Sequence, residues 1–218
     1  MIFRPSPNHE PRPEGTPIDM LVLHYTGMPS AQAALERLCD PEAKVSAHYM
    51  IDEDGTTYSL VPEERRAWHA GVSSWRGFSD VNSRSIGIEL VNPGHEFGYR
   101  PFPKAQMDAL IPLARNILSL HPIPARNVVA HSDVAPARKD DPGELFDWRE
   151  LAAEGIGLWP EAGTDESPAI GLADYGYDVS DMESTIIAFQ RHFRPASLDG
   201  VFDVECRRLL LSLLRTIE

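Results

Sequence analysis

Ile18-Asp19-Met20-Leu21-Val22-Leu23-His24-Tyr25 is an almost unbroken apolar run, and it reads as a largely buried strand. It ends on a histidine followed by the polar Thr26-Gly27, so the imidazole arrives at a loop-lined end of the strand. Asn127-Val128-Val129-Ala130-His131 repeats the pattern, with Ser132-Asp133 after the histidine. A third strand, Ser85-Ile86-Gly87-Ile88-Glu89-Leu90-Val91, alternates. Ile86, Ile88 and Leu90 share one face; Gly87, Glu89 and Val91 share the other. A carboxylate inside such a strand must reach water, a partner or a site.

Around these strands lie helical and hairpin signals. Ser30 is an N-cap for a helix over 31–38, with Ala31, Ala34, Leu35 and Leu38 at helix spacing. Residues 45–51 and 56–61 read as a hairpin about the turn Asp54-Gly55. Residues 68–78 are a loop rich in Gly and Trp. Residues 103–120 make a long helix with a stripe of Met107, Leu110, Ile111, Ala114, Ile117 and Leu118, which Pro112 is expected to kink or loosen. Strands interleaved with helices imply an α/β sheet sandwiched by helices. Residues 1–17, with five prolines, are expected to form an extended arm on the surface. Residues 161–168 read as a linker. It divides a domain of residues 1–163 from a small all-α unit of residues 164–218, which holds one helix near 182–193 and another over 204–217.

The chain has 218 residues, enough for one large domain or a medium domain with a small companion. A core of that size needs no disulfide, and Cys39 and Cys206 show no CxxC spacing, so both read as reduced, incidental thiols. The net charge of −13 is spread along the chain and excludes a nucleic-acid or anionic-membrane footprint. No stretch is long and apolar enough for a membrane span, and no signal-peptide pattern follows Met1. These features point to the cytoplasm; a monomer is expected.

Asp141 precedes Pro142-Gly143, a turn that holds a carboxylate still. Together with His24 and His131 it offers two imidazoles and one carboxylate, a set that leaves a zinc ion one open position for metal-assisted hydrolysis. His48 in the hairpin and His69 after Trp68 stay open as alternative ligands. Glu89 is the candidate general base, taking a proton as water attacks a carbonyl and passing it to a leaving nitrogen. Its structural alternative is a salt bridge to Arg84 or another arginine. Lys139, two residues before Asp141, shares its face in an extended backbone, and its ammonium suits a developing oxyanion. A plain surface lysine is the alternative. Tyr49 is a candidate donor to substrate, or else a buried tyrosine with a satisfied hydroxyl.

Six segments then occur in order: Val22-Leu23-His24-Tyr25-Thr26, Val45-Ser46-Ala47-His48-Tyr49, Arg66-Ala67-Trp68-His69-Ala70-Gly71-Val72-Ser73, Ser85-Ile86-Gly87-Ile88-Glu89-Leu90, Ala130-His131-Ser132-Asp133, and Ala135-Pro136-Ala137-Arg138-Lys139 through Phe146-Asp147-Trp148. Together they resemble the zinc-dependent N-acetylmuramoyl-L-alanine amidases of the type 2 (AmpD/AmiD-like) family, over residues 18–160. The resemblance implies a mixed sheet flanked by helices. It implies one zinc ion per chain on His24, His131 and Asp141, with Glu89 and Lys139 as the catalytic pair. Trp68 and Lys44 fall where the family places substrate-facing side chains. The implied reaction cleaves the amide between N-acetylmuramic acid and L-alanine in muropeptides, the 1,6-anhydro form expected, in cell-wall recycling. Tyr175-Gly176-Tyr177, Ala188-Phe189-Gln190-Arg191-His192-Phe193 and Leu198-Asp199-Gly200-Val201 resemble the small peptidoglycan-binding-like domain of AmiD-like members. A non-catalytic muropeptide-binding module and a lytic amidase of polymeric peptidoglycan are the alternatives.

Overall fold

The computed structural model describes residues 1–161 and 171–217. In chain order its elements are β1 (Ile2–Phe3), β2 (His9–Pro11), β3 (Met20–Tyr25), α1 (Ala31–Cys39), β4 (Tyr49–Ile51), β5 (Thr57–Ser59), β6 (Arg65–Ala67), α2 (Val81–Arg84), β7 (Ser85–Leu90), α3 (Gly94–Phe97), α4 (Lys104–Leu120), β8 (Val128–Ala130), α5 (His131–Val134), α6 (Trp148–Ala153), α7 (Leu172–Tyr175), α8 (Met182–Phe193) and α9 (Val204–Ile217). Six strands form one sheet in the order β1-β5-β4-β7-β3-β8. β3 runs parallel to both β7 and β8, β4 runs parallel to β7, and β1 runs parallel to β5. The hairpin pair β4–β5 is antiparallel, so the sheet is mixed and the fold is α/β.

β3 lies between two parallel partners and is covered on both faces, which is why its sequence is apolar without alternation. Leu21 and Leu23 join Ile86, Ile88 and Leu90 beneath α4, whose Met107, Leu110, Ala114 and Ile117 fill that layer. Each large side chain buried there contributes about 1.5–3 kcal/mol, enough to hold α4 through Pro112. Pro112 sits on the exposed side of the helix, as does Asp108, the residue whose carbonyl loses its usual helical donor to the missing proline N–H. α1 is capped by the Ser30 hydroxyl, which accepts the Ala33 N–H at 3.2 Å, and it seats Ala34, Leu35 and Leu38 against Met50, Leu60 and Val91.

Two local expectations are revised. The hairpin strands are shorter than 45–51 and 56–61, because the His48 carbonyl accepts both the Leu60 and Val61 N–H groups. Two residues opposed to one is a bulge, and it ends the ladder there. The proline-rich arm does more than lie on the surface. It adds β1 to the edge of the main sheet and pairs β2 with β6. The Arg12 guanidinium then donates to the carbonyls of Glu63, Asn82, Ser83 and Ser85.

The second face of the sheet is covered by the C-terminal helices. Met20, Val22, Val129 and Trp75 share one apolar cluster with Tyr175, Phe189, Phe193 and Leu210. The division expected at 163/164 and, but for Glu161, the linker expected over 161–168 lie outside the described residues. His24 stands near the end of β3, Glu89 beside it in β7, and His131 directly after β8. These are the carboxyl ends of three adjacent parallel strands, where open α/β sheets bind ligands.

Candidate metal centre

Three side chains remote in sequence meet at this sheet end. His24 Nδ1 and His131 Nδ1 are 2.9 Å apart, and Asp141 Oδ2 is 3.0 Å from each. All three residues are buried, at 1%, 3% and 5% exposure. β3 delivers His24, and the turn from β8 into α5 delivers His131. The chain then folds back until the Ser132 N–H donates to the Asp141 carbonyl at 3.0 Å, bringing the carboxylate alongside.

The imidazole tautomers follow from the far ring nitrogens. His131 Nε2 lies 3.1 Å from the Ala70 carbonyl, which can only accept, so Nε2 carries the proton. The Ser85 hydroxyl gives its proton to the Val81 carbonyl at 2.7 Å and so accepts from His69 Nε2 at 3.0 Å. His69 Nδ1 is then an acceptor, and His24 Nε2 donates to it at 3.0 Å. Both Nδ1 atoms are left with bare lone pairs turned toward each other and toward a carboxylate oxygen. Burial, with His131 second, pushes His24 down to about 4, so it is neutral at pH 7. Three lone pairs aimed at one point with no proton between them fit a cation. Ligands about 2.0–2.1 Å from a tetrahedral zinc stand about 3.3 Å apart, close to the separations here. The far-nitrogen partners are the supports that orient metal-binding imidazoles.

A cavity of about 260 Å³ opens over His131 and Asp141, with His24 buried behind them. Glu89 and Lys139 line it, together with Tyr25, Met28 and Arg37. Glu89 is buried, and its Oε2 has no hydrogen-bond partner among the described residues. Burial, then the charge of Asp141, raises its carboxyl well above the usual range, while Lys139 pulls it back. The alternative salt bridge is not made: Arg84 pairs with Asp19. An adjoining cavity of about 210 Å³ shares His69, His131 and Lys139 and adds Lys44, Trp68 and Arg138. The structure thus gathers Glu89, Lys139, Lys44 and Trp68 along one cleft with the metal donors.

Tyr49 is corrected. It pairs in register with Ile88, on the face opposite Glu89, and its hydroxyl donates to Glu63 Oε1 at 2.6 Å. It packs beside the α4 layer and does not reach the cleft. His48 is no ligand either: its Nδ1 accepts the Gly87 N–H at 2.9 Å and its Nε2 faces Arg12. His69 supports a ligand without being one. The basic Arg37 at the cleft wall was missed in the sequence, because on helix spacing it is one more exposed charge on α1.

The chain matches the family N-acetylmuramoyl-L-alanine amidase over residues 14–144. N-acetylmuramoyl-L-alanine amidase AmiD of Escherichia coli (strain K12) is 41% identical, over 90% of this chain and 82% of that one. The 1,6-anhydro-N-acetylmuramyl-L-alanine amidase AmpD of Enterobacter cloacae is 36% identical, over 68% of this chain and 87% of its own length. Among solved structures, the complex of E. coli AmiD with the substrate anhydro-N-acetylmuramic acid-L-Ala-D-γ-Glu-L-Lys superposes with a TM-score of 0.82 at 39% identity, covering 98% of this chain and 93% of that chain. Because the family match takes in every residue that lines the cavity beside the candidate metal donors, this chain belongs to the N-acetylmuramoyl-L-alanine amidase family.

Proposed function

We propose that this chain is a zinc-dependent amidase that cleaves the bond between N-acetylmuramic acid and L-alanine in soluble peptidoglycan fragments, the 1,6-anhydro form among them. The observation that carries this is the buried triangle of His24, His131 and Asp141 at the floor of a cleft that also holds Glu89 and Lys139. Two nitrogens and one oxygen are a donor set suited to zinc with an open position. Bound there, zinc supplies Lewis acidity: it lowers the pKa of water toward about 7 and polarises an amide carbonyl. Glu89, raised by burial, is matched to accept a proton from the attacking water and return it to the departing alanine nitrogen. Lys139 presents an ammonium to the oxygen that gains charge. His69 and the Ala70 carbonyl keep His24 and His131 in the tautomers that leave both Nδ1 atoms free. Trp68 offers an aromatic face at the cleft mouth for a sugar ring. Arg37, Lys44, Arg138 and Lys139 make this cleft cationic in a chain of net charge −13, which suits a stem peptide bearing carboxylates.

Purified protein is expected to hold one zinc per chain and to release an L-Ala-headed peptide from anhydro-muropeptide. Chelation is expected to stop the release and added zinc to restore it. Zinc-loaded protein that frees no peptide from either anhydro or reducing-end fragments would sink this reading. Parallel assays on intact sacculi separate fragment recycling from action on the polymer.

A further inference from the structure

Arg191 and His192 stand side by side near the end of α8, both buried, in a helix whose other inward side chains are mainly apolar. Both reach out of the C-terminal helices to the segments that carry the metal donors. The His192 ring lies stacked on Trp148 and beside Phe193, each with centroids 3.8 Å away. Its Nδ1 is 2.6 Å from Asp133 Oδ2 and donates to it. Asp133 also accepts the Tyr177 hydroxyl at 2.7 Å and the Ala130 N–H at 2.7 Å. Asp133 therefore closes the turn whose first helical residue is the donor His131. Arg191 reaches the other segment: its guanidinium is 2.9 Å from Asp140 Oδ1 and 3.5 Å from Glu144 Oε2. Those two carboxylates bracket the donor Asp141.

Two adjacent residues of one helix thus grip both segments, one on each side of the 3.0 Å contact between His131 and Asp141. That contact sets two donors together before any ion arrives, and the cost of holding it falls on whatever ties the segments down. We propose that α8 is a two-pronged brace for the metal centre. His192 acts through Asp133 on His131, and Arg191 acts through Asp140 and Glu144 on Asp141, so the C-terminal helices set the affinity of the site for zinc. This rests on the reading of His24, His131 and Asp141 as zinc donors. Arg191 and His192 are positioning residues and touch no substrate.

The test uses the full chain, stripped of metal, with zinc affinity read by competition against a chromophoric chelator and folding read by circular dichroism. His192→Phe keeps the ring stack and removes the N–H donor. Arg191→Met keeps the aliphatic stem and removes the charge. Each is expected to weaken zinc binding about tenfold, as loss of outer supports does at metal sites. His192→Asn, which returns an amide N–H near the Nδ1 position, is expected to recover most of that loss. If His192→Phe does not fold, Tyr177→Phe removes a different proton donor from the same carboxylate and is expected to shift affinity the same way. Arg194→Met is the control: Arg194 is tied to Asp199, Asp203 and Glu205 inside the C-terminal unit and loosens that unit without touching either donor segment. Folded brace variants that bind zinc like the wild type overturn the proposal, as does an equal loss in Arg194→Met. A wild-type chain that binds no zinc overturns the metal reading and the brace together, whereas a wild type that binds while the variants are unchanged overturns the brace alone.

Discussion

Glu89 lies in a strand whose every residue is buried, and its Oε2 has no hydrogen-bond partner among the described residues. An ionised carboxylate left so is costly unless a site needs it. Glu89→Gln keeps the shape and removes the basic oxygen. It is expected to retain one zinc per chain while turnover falls by about 10²–10⁴-fold; full activity would refute the base assignment. The charge was legible from sequence, since a carboxylate in an alternating apolar strand breaks its pattern. Gly87, two residues earlier, was legible only as an alternation position. A Cβ there would stand 2.5 Å from His69 Cγ, so the close approach of the ring to β7 requires glycine. Gly87→Ala is expected to push His69 off His24 and weaken zinc binding about tenfold, measurable by chelator competition.

Gln106 shows how one helix secures the sheet beneath it. Fully buried on α4, it donates to the carbonyl of Ile51 at 2.9 Å and to that of Val91 at 3.0 Å, just where β4 and β7 end. The Ile51 carbonyl keeps the Val91 N–H at 2.9 Å, so Gln106→Leu strands the Val91 carbonyl; it is expected to destabilise the fold by about 1–3 kcal/mol, read as a lower urea midpoint at unchanged slope. The existence of α4, β3 and β7 was readable because a helical stripe and an apolar run are local patterns. The hairpin ends were not. The bulge at His48 depends on which residues of β5 lie opposite it, and nothing within 45–51 records that. Tyr49 carries the same lesson: alternation places it on one face, but only its pairing with Ile88 says that this face turns from the cleft.

The molecule as a whole buries imidazoles that must stay neutral. Burial, with Arg12 second, pushes His48 down to about 3, and burial likewise depresses His69. An unfolded imidazole titrates near 6.5. Between pH 6.5 and about 3 the unfolded chain therefore holds a proton on His48 that the folded chain refuses. Stability on this account is full above pH 6.5 and declines as pH falls, by about 1.4 kcal/mol per pH unit for one proton. His48→Asn, whose Oδ1 can accept the same Gly87 N–H, is expected to flatten the pH dependence of urea unfolding by one proton; an unchanged slope would contradict it. The chain by itself determined the principal strands, the long helix and the family, and it marked His24, His131, Asp141, Glu89 and Lys139 as candidates, because periodicity and motif order are written along one dimension. Folding alone decided that His69 sets the tautomer of His24, that Tyr49 faces α4, and that Arg191 and His192 reach back across the sheet to the donor segments. Those contacts join residues separated by tens of positions, and they exist only once strand order and register bring distant surfaces within hydrogen-bond range.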